Sequence, residues 1–481
     1  MDDFSTRLWK IWLPTLCLLA CTCLALFLLL QKPHEARTVW RMDDTLRVGA
    51  PEPVRQATVI SPYGSGVEDE LVSQLCAEMP CTPTWINVPD KEEGLAMLQR
   101  GEIDLLVGFW GDVPEPAPAL SESSIPEFLP EIAAGKAYAH FTPIRITGAT
   151  APKSPATPET ATNETSVLKA LERMFSSLVP TFVQENKETA KDQPFPVFAY
   201  DMDGGDDPNK DILLMDPASY VLWLPFMGEV GTARTKNKMP YRWFWRAEDT
   251  YLTNGLNDFW NDTKREAALA ELTERYFGFL PRTLRQRDIL ELAETLAADL
   301  PKYEGFILKA AKESRVPPLL LVAVIYQESR FDPDAVSQTR VRGIMQLTTA
   351  TARMLDVDRK NPEECILGGA RYLRDLFDRI GDKAVTDWDR WFMALAAYNQ
   401  GMSNLNRTIK LAQELGKKGD SWVDLKRTFP LSTTCRGVEA KSFVERIRYY
   451  HFILHGLVAL APSETQDFAP LMSLALTDAD L

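Results

Sequence analysis

One glutamate stands where a carboxyl group could carry out acid–base chemistry. Glu328 follows the apolar run Leu319–Tyr326, LLLVAVIY, which comes directly after Pro317 and Pro318. Proline suits the first turn of a helix, and a helix that is apolar on all sides is a buried one. Burial and the negative end of the helix dipole both disfavour a charged carboxylate, so they raise its pKa, as a general acid for a glycosidic oxygen requires. The alternative is an exposed glutamate that merely ends the helix.

Side chains suited to sugar binding lie in three short segments from Glu328 onward. The segments are ESRFDPDAVS at 328–337, GIMQLTTATA at 343–352 and AAYNQG at 396–401. Ser337, Gln346 and Asn399 carry hydroxyl or amide groups that match the acetamido and hydroxyl groups of sugars. Tyr398 and Met345 offer apolar surface for sugar faces, and for Met345 packing inside the protein is an equal alternative.

Together the three segments resemble the goose-lysozyme-like catalytic domain of lytic transglycosylases. The motifs of that family run E-S-x-F-x-P-x-A-x-S, G-L-M-Q-L-x-x-x-T-A and A-Y-N-x-G, in the same order. The resemblance implies an all-α lysozyme-like domain over residues 286–460, without metal or cofactor. Its expected reaction is non-hydrolytic cleavage of the β-1,4 bond between N-acetylmuramic acid and N-acetylglucosamine in peptidoglycan strands. Glu328 would act first as the acid and then as the base, leaving a 1,6-anhydromuramyl end.

Two departures from the family pattern fall near this site. Arg340 and Val341 stand where the family often has Gly-Ala, which predicts a different loop shape. Phe443 stands where the family has a tyrosine that faces the cleft, so one hydroxyl contact, to the substrate or to Glu328, is expected to be absent.

Two alternative functions remain. A hydrolytic muramidase of the usual kind needs a second carboxylate across the scissile bond, and the nearby Asp332 is expected to be committed to a turn. The other alternative is a non-catalytic protein that binds or senses peptidoglycan. The presence of Glu328 and Gln346 disfavours a non-catalytic protein.

The elements before residue 280 alternate between strand and helix. Strands are predicted at Thr45–Gly49, Pro83–Val88 and Ile103–Phe109, with amphipathic helices between them, a pattern that indicates parallel βαβ units. With the closing helices near 254–277, residues 45–280 resemble the periplasmic solute-binding proteins of the amino-acid class. The resemblance implies two α/β lobes around a small ligand. A Pro/Ala/Thr-rich stretch at 147–165 is expected to be a flexible insertion.

The expected ligand site of this α/β domain departs from its family. The stretch after the third strand, residues 111–116, lacks the arginine that clamps an amino-acid carboxylate. Asp216 stands where the family often has an acid for the ligand's amino group, although a strand-end or helix-capping aspartate is the favoured alternative. A free amino acid is therefore not the expected ligand, and a muropeptide is a hypothesis drawn from the two-domain layout.

The N-terminus contains one segment that is unsuited to water. Residues 11–30, IWLPTLCLLACTCLALFLLL, are free of charge, and about 20 apolar residues are what a helix needs to cross a bilayer. We predict an uncleaved anchor at 11–31 after a cytoplasmic tail at 1–10, in preference to a cleaved signal or lipoprotein segment. The body would then lie on the periplasmic face of a membrane in the cell envelope, and residues 461–481 would form a tail. The whole layout resembles membrane-bound lytic murein transglycosylases.

Composition and charge exclude several other classes. The formal net charge is -14, with Lys+Arg 53 against Asp+Glu 67, and no basic block predicts nucleic-acid binding. The four histidines form no H-E-x-x-H motif, and the cysteines form no C-x-x-C pair, so a metal site is not expected. Cys76 and Cys81 are equally consistent with a small disulfide, if the body is exported, or with two buried free thiols.

Overall fold

The computed structural model describes residues 45–52, 56–112, 130–147, 212–227, 230–338, 340–432 and 437–460. The predicted anchor and tail at 1–31, nearly all of the predicted insertion at 147–165, and the predicted C-terminal tail lie outside these ranges. Within the ranges, no helix has both the length and the apolar character needed to cross a membrane.

The first half of the chain is an α/β structure, as predicted. Its strands are β1 (Thr45–Ala50), β2 (Thr82–Asn87), β3 (Leu105–Trp110), β4 (Ile132–Ala134), β5 (Ala139–Phe141), β6 (Ile144–Thr147), β7 (Ile212–Met215), β8 (Gly231–Arg234) and β9 (Met239–Arg246). Its helices are α1 (Ala57–Ile60), α2 (Val67–Glu78), α3 (Lys91–Gln99), α4 (Pro217–Met227), α5 (Thr250–Asn261) and α6 (Arg265–Phe277).

The strands form two sheets that the chain connects twice. In the larger sheet the order is β2-β1-β3-β9-β4, with β5 on β9, and the smaller sheet has the order β7-β6-β8. β1 pairs in parallel with β2 and β3, which confirms the predicted βαβ units, because α2 and α3 return the chain across the sheet. β9 is antiparallel to β3, so the sheet is mixed. The chain leaves for the smaller sheet after β5 and returns before β9, a two-lobed arrangement.

The second half is helical. Its helices are α7 (Gln286–Ser314), α8 (Pro318–Ser329), α9 (Thr349–Leu355), α10 (Pro362–Ile380), α11 (Asp387–Gln400), α12 (Met402–Glu414), α13 (Trp422–Thr428) and α14 (Gly437–Leu460). α8 lies at its centre, packed between α7 and α14, and every residue from Pro318 to Tyr326 is buried. The prediction of a buried helix before Glu328 is confirmed, and the reason is local: its side chains are apolar on every face.

The hydrophobic core continues from the smaller sheet into the helical half. One cluster of buried residues joins Ile146 of β6 and Met215 of β7 to α8 and α14. The Oη of Tyr63, in the α/β half, donates a hydrogen bond of 3.0 Å to the carbonyl of Arg448 in α14. The fold therefore changes class near residue 280, whereas the packing is continuous across that point.

Candidate active site

Glu328 lies in the last turn of α8 and is partly buried. The helix ends at Arg330 with φ 53, and Phe331 follows with φ 65, so two left-handed residues turn the chain away. Burial raises the pKa of Glu328 to about 8, and the positive charge of Arg446 opposes this increase. Among the residues described, none donates a hydrogen bond to the Glu328 carboxylate. A carboxylic acid with this pKa keeps its proton near neutral pH, which is the state that a general acid needs.

The loop that follows α8 is fixed against the end of the helix by hydrogen bonds. The Oγ of Ser329 donates to the carbonyl of Ile344 at 2.8 Å. The Nε2 of Gln346 donates to the carbonyls of Ala335 and Gly343, both at 2.9 Å. Gln346 therefore shapes the loop with its amide nitrogen. Ser337 accepts a hydrogen bond from the amide of Val341 at 3.3 Å.

Three residues of this loop adopt left-handed backbone conformations: Arg340, Gly343 and, with φ 48, Gln346. Gly343 has φ 85, and a Cβ there would lie 2.1 Å from the carbonyl oxygen of Arg359, so only glycine fits. Arg340 has φ 63 and an exposed side chain, at the position where the family pattern often has glycine. The predicted departure thus places an arginine where glycine would be less strained.

The AYN segment contacts the loop from α11. The Oη of Tyr398 donates to the carbonyl of Met345 at 2.8 Å. Burial raises the pKa of Tyr398 well above its ordinary value, and the neighbouring Glu328 raises it further, so the two residues lie close together. The Oδ1 of Asn399 is buried without a hydrogen-bond partner among the described residues. A buried acceptor without a partner is uncommon, and a contact of Asn399 with the substrate stays a prediction.

Two of the predicted substrate residues are almost or entirely inaccessible. Met345 has no exposed surface, and its thioether lies against Gly369, where an added Cβ would approach the sulfur to 2.8 Å. This burial favours the packing alternative, and a direct sugar contact through Met345 stays a prediction. Phe443 of α14 is 3% exposed. Its ring therefore belongs largely to the core, and a sugar contact through Phe443 stays a prediction with little surface to support it.

Asp332 is committed to the turn after α8, as predicted. Its Oδ1 accepts a hydrogen bond from the amide of Asp334 at 2.9 Å, and its own amide donates to the carbonyl of Ser329. Both aspartates are exposed. Neither acts on the pKa of Glu328.

Sequence reasoning missed Arg446. The residue lies on α14, three positions after Phe443, and its Nε donates to the Oε1 of Gln327 at 2.9 Å. Gln327 directly precedes Glu328, and the two partners are 119 positions apart in the chain. The spacing of Phe443 and Arg446, which puts both on one side of a helix, is the signal that could have found it.

A second candidate site lies between the two sheets, where a cavity of about 60 Å³ is present. Its walls include Glu68, Trp110, Tyr138, Asp216, Ser219, Tyr241 and Phe277. Asp216 accepts hydrogen bonds from the amides of Ala218 at 2.9 Å and Ser219 at 3.0 Å, and burial raises its pKa. These bonds cap α4, so the capping alternative accounts for Asp216, although its carboxylate borders the cavity.

Glu68 was also missed by sequence reasoning. It is buried in the same cavity wall, accepts a hydrogen bond from the Nε1 of Trp243 at 2.7 Å and another from Tyr138, and burial raises its pKa to about 7. In the sequence it looks like one of several acids in the first turn of a helix, which is an ordinary preference.

The cysteines and histidines build no metal centre in the part of the chain that the structure describes. Cys76 and Cys81 are free thiols, as in the second of the two predicted alternatives, but both are partly exposed and not buried.

The helical half matches a known domain family. Residues 305–420 match the profile of the family described as "Transglycosylase SLT domain". The match includes Glu328, the loop with Gln346, and the AYN segment, so this part of the chain is similar to transglycosylase domains. Phe443 and Arg446 lie beyond the matched residues.

The relatives with curated names carry the particular name "membrane-bound lytic murein transglycosylase F". The protein from Aeromonas salmonicida is 36% identical over 235 residues, covering 46% of this chain and 46% of the relative. The protein from Maricaulis maris is 41% identical over 179 residues, covering 35% and 39% respectively. The chain therefore matches about half the length, or less, of the curated relatives.

Among solved structures, an ancestral arginine-binding protein bound to glutamine is 18% identical, with a TM-score of 0.29. It covers 50% of this chain and 100% of its own. The two sheets of the first half are defined by the pairing of their own strands.

Proposed function

We propose that this protein is a peptidoglycan lytic transglycosylase, with Glu328 as its acid and base. The observation that carries the proposal is one partly buried carboxyl group with a pKa of about 8, at the end of an apolar helix and beside Tyr398. The similarity of residues 305–420 to transglycosylase domains supports the same reaction class.

In the proposed reaction the proton moves twice. Glu328 donates its proton to the oxygen that joins C1 of N-acetylmuramic acid to N-acetylglucosamine, and that C–O bond breaks. The resulting carboxylate of Glu328 then accepts the proton of the muramyl C6 hydroxyl, and the C6 oxygen forms a bond to C1. Glu328 is thereby restored, and the products are a 1,6-anhydromuramyl end and a free N-acetylglucosamine end. No water is consumed.

The surroundings of Glu328 support a lytic reaction over a hydrolytic one. A hydrolase of the usual kind places a second carboxylate opposite the acid, to act as nucleophile or to activate water. Asp332, the nearest acid in sequence after α8, is exposed and accepts a hydrogen bond from the turn it forms. In the lytic reaction the nucleophile is the C6 hydroxyl of the muramyl sugar itself, so a second carboxylate is not required.

Digestion of purified sacculi tests the proposal. Wild type is expected to release soluble fragments whose muramyl ends are one water lighter than reducing ends, as read by mass spectrometry. Glu328→Gln keeps the shape of the side chain and should abolish release, whereas Glu313→Gln, an exposed position at the end of α7, should not. Reducing ends throughout would establish a hydrolytic muramidase instead. Equal, negligible release by wild type and Glu328→Gln would establish a binding or sensor protein.

We further propose that residues 11–31 anchor the protein to a membrane of the cell envelope, with both halves on the periplasmic side. The charge-free run in this segment and the words "membrane-bound" in the names of the relatives support this location. Fractionation of cells tests it: the full chain should sediment with membranes, and a chain without residues 1–31 should not. Recovery of both chains in the soluble fraction contradicts the anchor.

A muropeptide is the proposed ligand of the cavity between the sheets, as a regulator of the helical half. The continuous core from β6 and β7 into α8 and α14 supports a mechanical link between the two sites. Titration calorimetry of the Glu328→Gln protein with a soluble muropeptide tests binding, and Tyr241→Ala in the cavity wall should weaken it. Equal affinity in both proteins excludes this cavity as the site.

A further inference from the structure

Arg446 projects from α14 beside the end of α8, and its side chain is exposed. Its Nε donates to Oε1 of Gln327 at 2.9 Å, which holds the guanidinium next to the residue that precedes Glu328. The charge of Arg446 lowers the pKa of Glu328, against the larger effect of burial, so the guanidinium lies close to the carboxyl group.

The two terminal nitrogens of Arg446 have no hydrogen-bond partner among the described residues. Its Nε is its one hydrogen-bonding atom with a partner in the ranges that the structure describes, and no acid there forms an ion pair with it. Its neighbours on α14 differ in this respect: Glu445 pairs with Lys426 at 2.6 Å, and Arg448 pairs with Glu274 at 2.9 Å. The Nη1 and Nη2 groups form the planar fork that matches a carboxylate in bidentate geometry.

A second exposed arginine near Glu328 provides a contrast. Arg330 directly follows the end of α8, and its guanidinium pairs with Glu291 at 3.3 Å. Arg330 does not contribute to the pKa of Glu328, although it is only two residues away in sequence. Arg446 is therefore distinguished from Arg330 both by its position and by its unoccupied fork.

We propose that Arg446 is a specificity-determining residue that binds a carboxylate of the peptide attached to the muramyl sugar. This inference rests on the proposed function, because that function places the muramyl sugar beside Glu328. The peptides of peptidoglycan carry free carboxylates, and the fork of Arg446 supplies two donors and a positive charge next to the reacting sugar. The site thereby prefers strands that bear anionic peptides over strands without them.

Paired substrates test the inference in the full chain. Sacculi with intact peptides are compared with glycan strands from which an amidase has removed the peptides, and kcat and KM are measured for each. Wild type is expected to show a KM about 10-fold lower on peptide-bearing strands, the size expected for one charge-assisted contact. Arg446→Gln should lose this preference. Its KM should rise on peptide-bearing strands and stay unchanged on strands without peptides. Arg446→Lys, which keeps the charge without the fork, should retain only part of it.

Two further variants serve as controls. Arg330→Gln removes an exposed arginine near the same helix end and should keep the wild-type preference. Gln327→Leu removes the acceptor that orients Arg446 and should lose part of the preference. A preference that is unchanged in Arg446→Gln, or lost equally in Arg330→Gln, overturns the inference.

A binding measurement separates this result from the proposed function itself. In the Glu328→Gln background, where no turnover is expected, affinity for a soluble muramyl peptide and for its analogue with amidated carboxylates is measured by calorimetry. The peptide should bind about 10-fold more tightly than the analogue, and adding Arg446→Gln should equalise the two. If the peptide and its amidated analogue bind equally well to the protein that keeps Arg446, the proposed role of Arg446 is refuted. Failure of wild type to cleave any strand refutes the proposed function instead.

Discussion

The hydroxyl of Tyr398 donates a hydrogen bond of 2.8 Å to the carbonyl of Met345. This bond joins α11 to the loop that lies against the end of α8, so the AYN and GIMQL segments form one wall beside Glu328. Tyr398 thus has a structural contact as well as the sugar contact predicted from its sequence motif. A tyrosine whose hydroxyl is already engaged presents mainly its ring to a substrate.

Replacing Tyr398 by phenylalanine tests the structural contact. Tyr398→Phe leaves the buried carbonyl of Met345 without its donor, so we expect the free energy of unfolding to fall by about 1–2 kcal/mol. Urea unfolding followed by circular dichroism measures the change. The matched control is Tyr372→Phe, since the ring of Tyr372 lies 5.5 Å from that of Tyr398 and its hydroxyl has no hydrogen-bond partner among the described residues. Equal effects of the two substitutions would contradict the assignment.

Because the pKa of Glu328 is raised in the folded protein, the free energy of unfolding is expected to decrease as the pH rises. The folded protein holds the proton more tightly than the unfolded chain does, because the pKa rises from 4.5 to about 8. Stability contributed by this group is therefore lost as pH rises between these values, by at most about 1.4 kcal/mol per pH unit. Glu328→Gln cannot ionise, so its stability relative to wild type should increase from pH 5 to pH 8.

Chemical unfolding of both proteins across this pH range measures the effect. Glu313→Gln, at an exposed position, should follow wild type. Parallel pH curves for wild type and Glu328→Gln would show that the folded state does not raise the pKa of Glu328.

The sequence was most informative where structure depends on local pattern. The apolar run before Glu328 determines the burial of α8 by itself, and burial is the main cause of the raised pKa. The strands β1 to β3 were predictable because strand and helix alternate at regular spacing. The strands β4, β5, β6, β8 and β9 were missed, since each pairs with a distant segment of the chain.

Residues that act through long-range contacts were less predictable. Met345 lies in a loop without helical or strand periodicity, so the sequence could not indicate which way its side chain points. Arg446 reaches Gln327 across 119 positions, and that contact depends on how α14 packs against α8. The capping role of Asp216 was within reach of the sequence, because an aspartate directly before Pro217 at a helix start is a common N-cap arrangement.

Removal of Arg446 should shift the acid–base behaviour of Glu328. Its positive charge favours the carboxylate, so Arg446→Gln should raise the pKa of Glu328 above about 8. Tyr398 of α11 also lies near Glu328, and its neutral hydroxyl does not replace the lost charge. If Glu328 is the acid, the alkaline limb of the pH–rate profile should move to higher pH. A carbon-13 titration of the Glu328 carboxyl group measures the same shift without substrate, and Arg330→Gln should leave it unchanged.

The ion pair between Arg448 and Glu274 is expected to hold the two halves together. Glu274 lies on α6 of the α/β half, and the Arg448 guanidinium is 1% exposed, donating to Glu274 and packing 4.4 Å from the ring centre of Phe392. Glu274→Ala leaves this charge buried without its acid, a change that typically costs about 3–5 kcal/mol. The urea midpoint should fall accordingly, and proteolysis between α6 and α7 should become faster. Glu445→Ala removes another acid from Lys426 but leaves Arg448 paired, so it should cost no more than about 1 kcal/mol. If both variants unfold at the same midpoint, the stability of the protein does not depend on the pairing of Arg448 with Glu274.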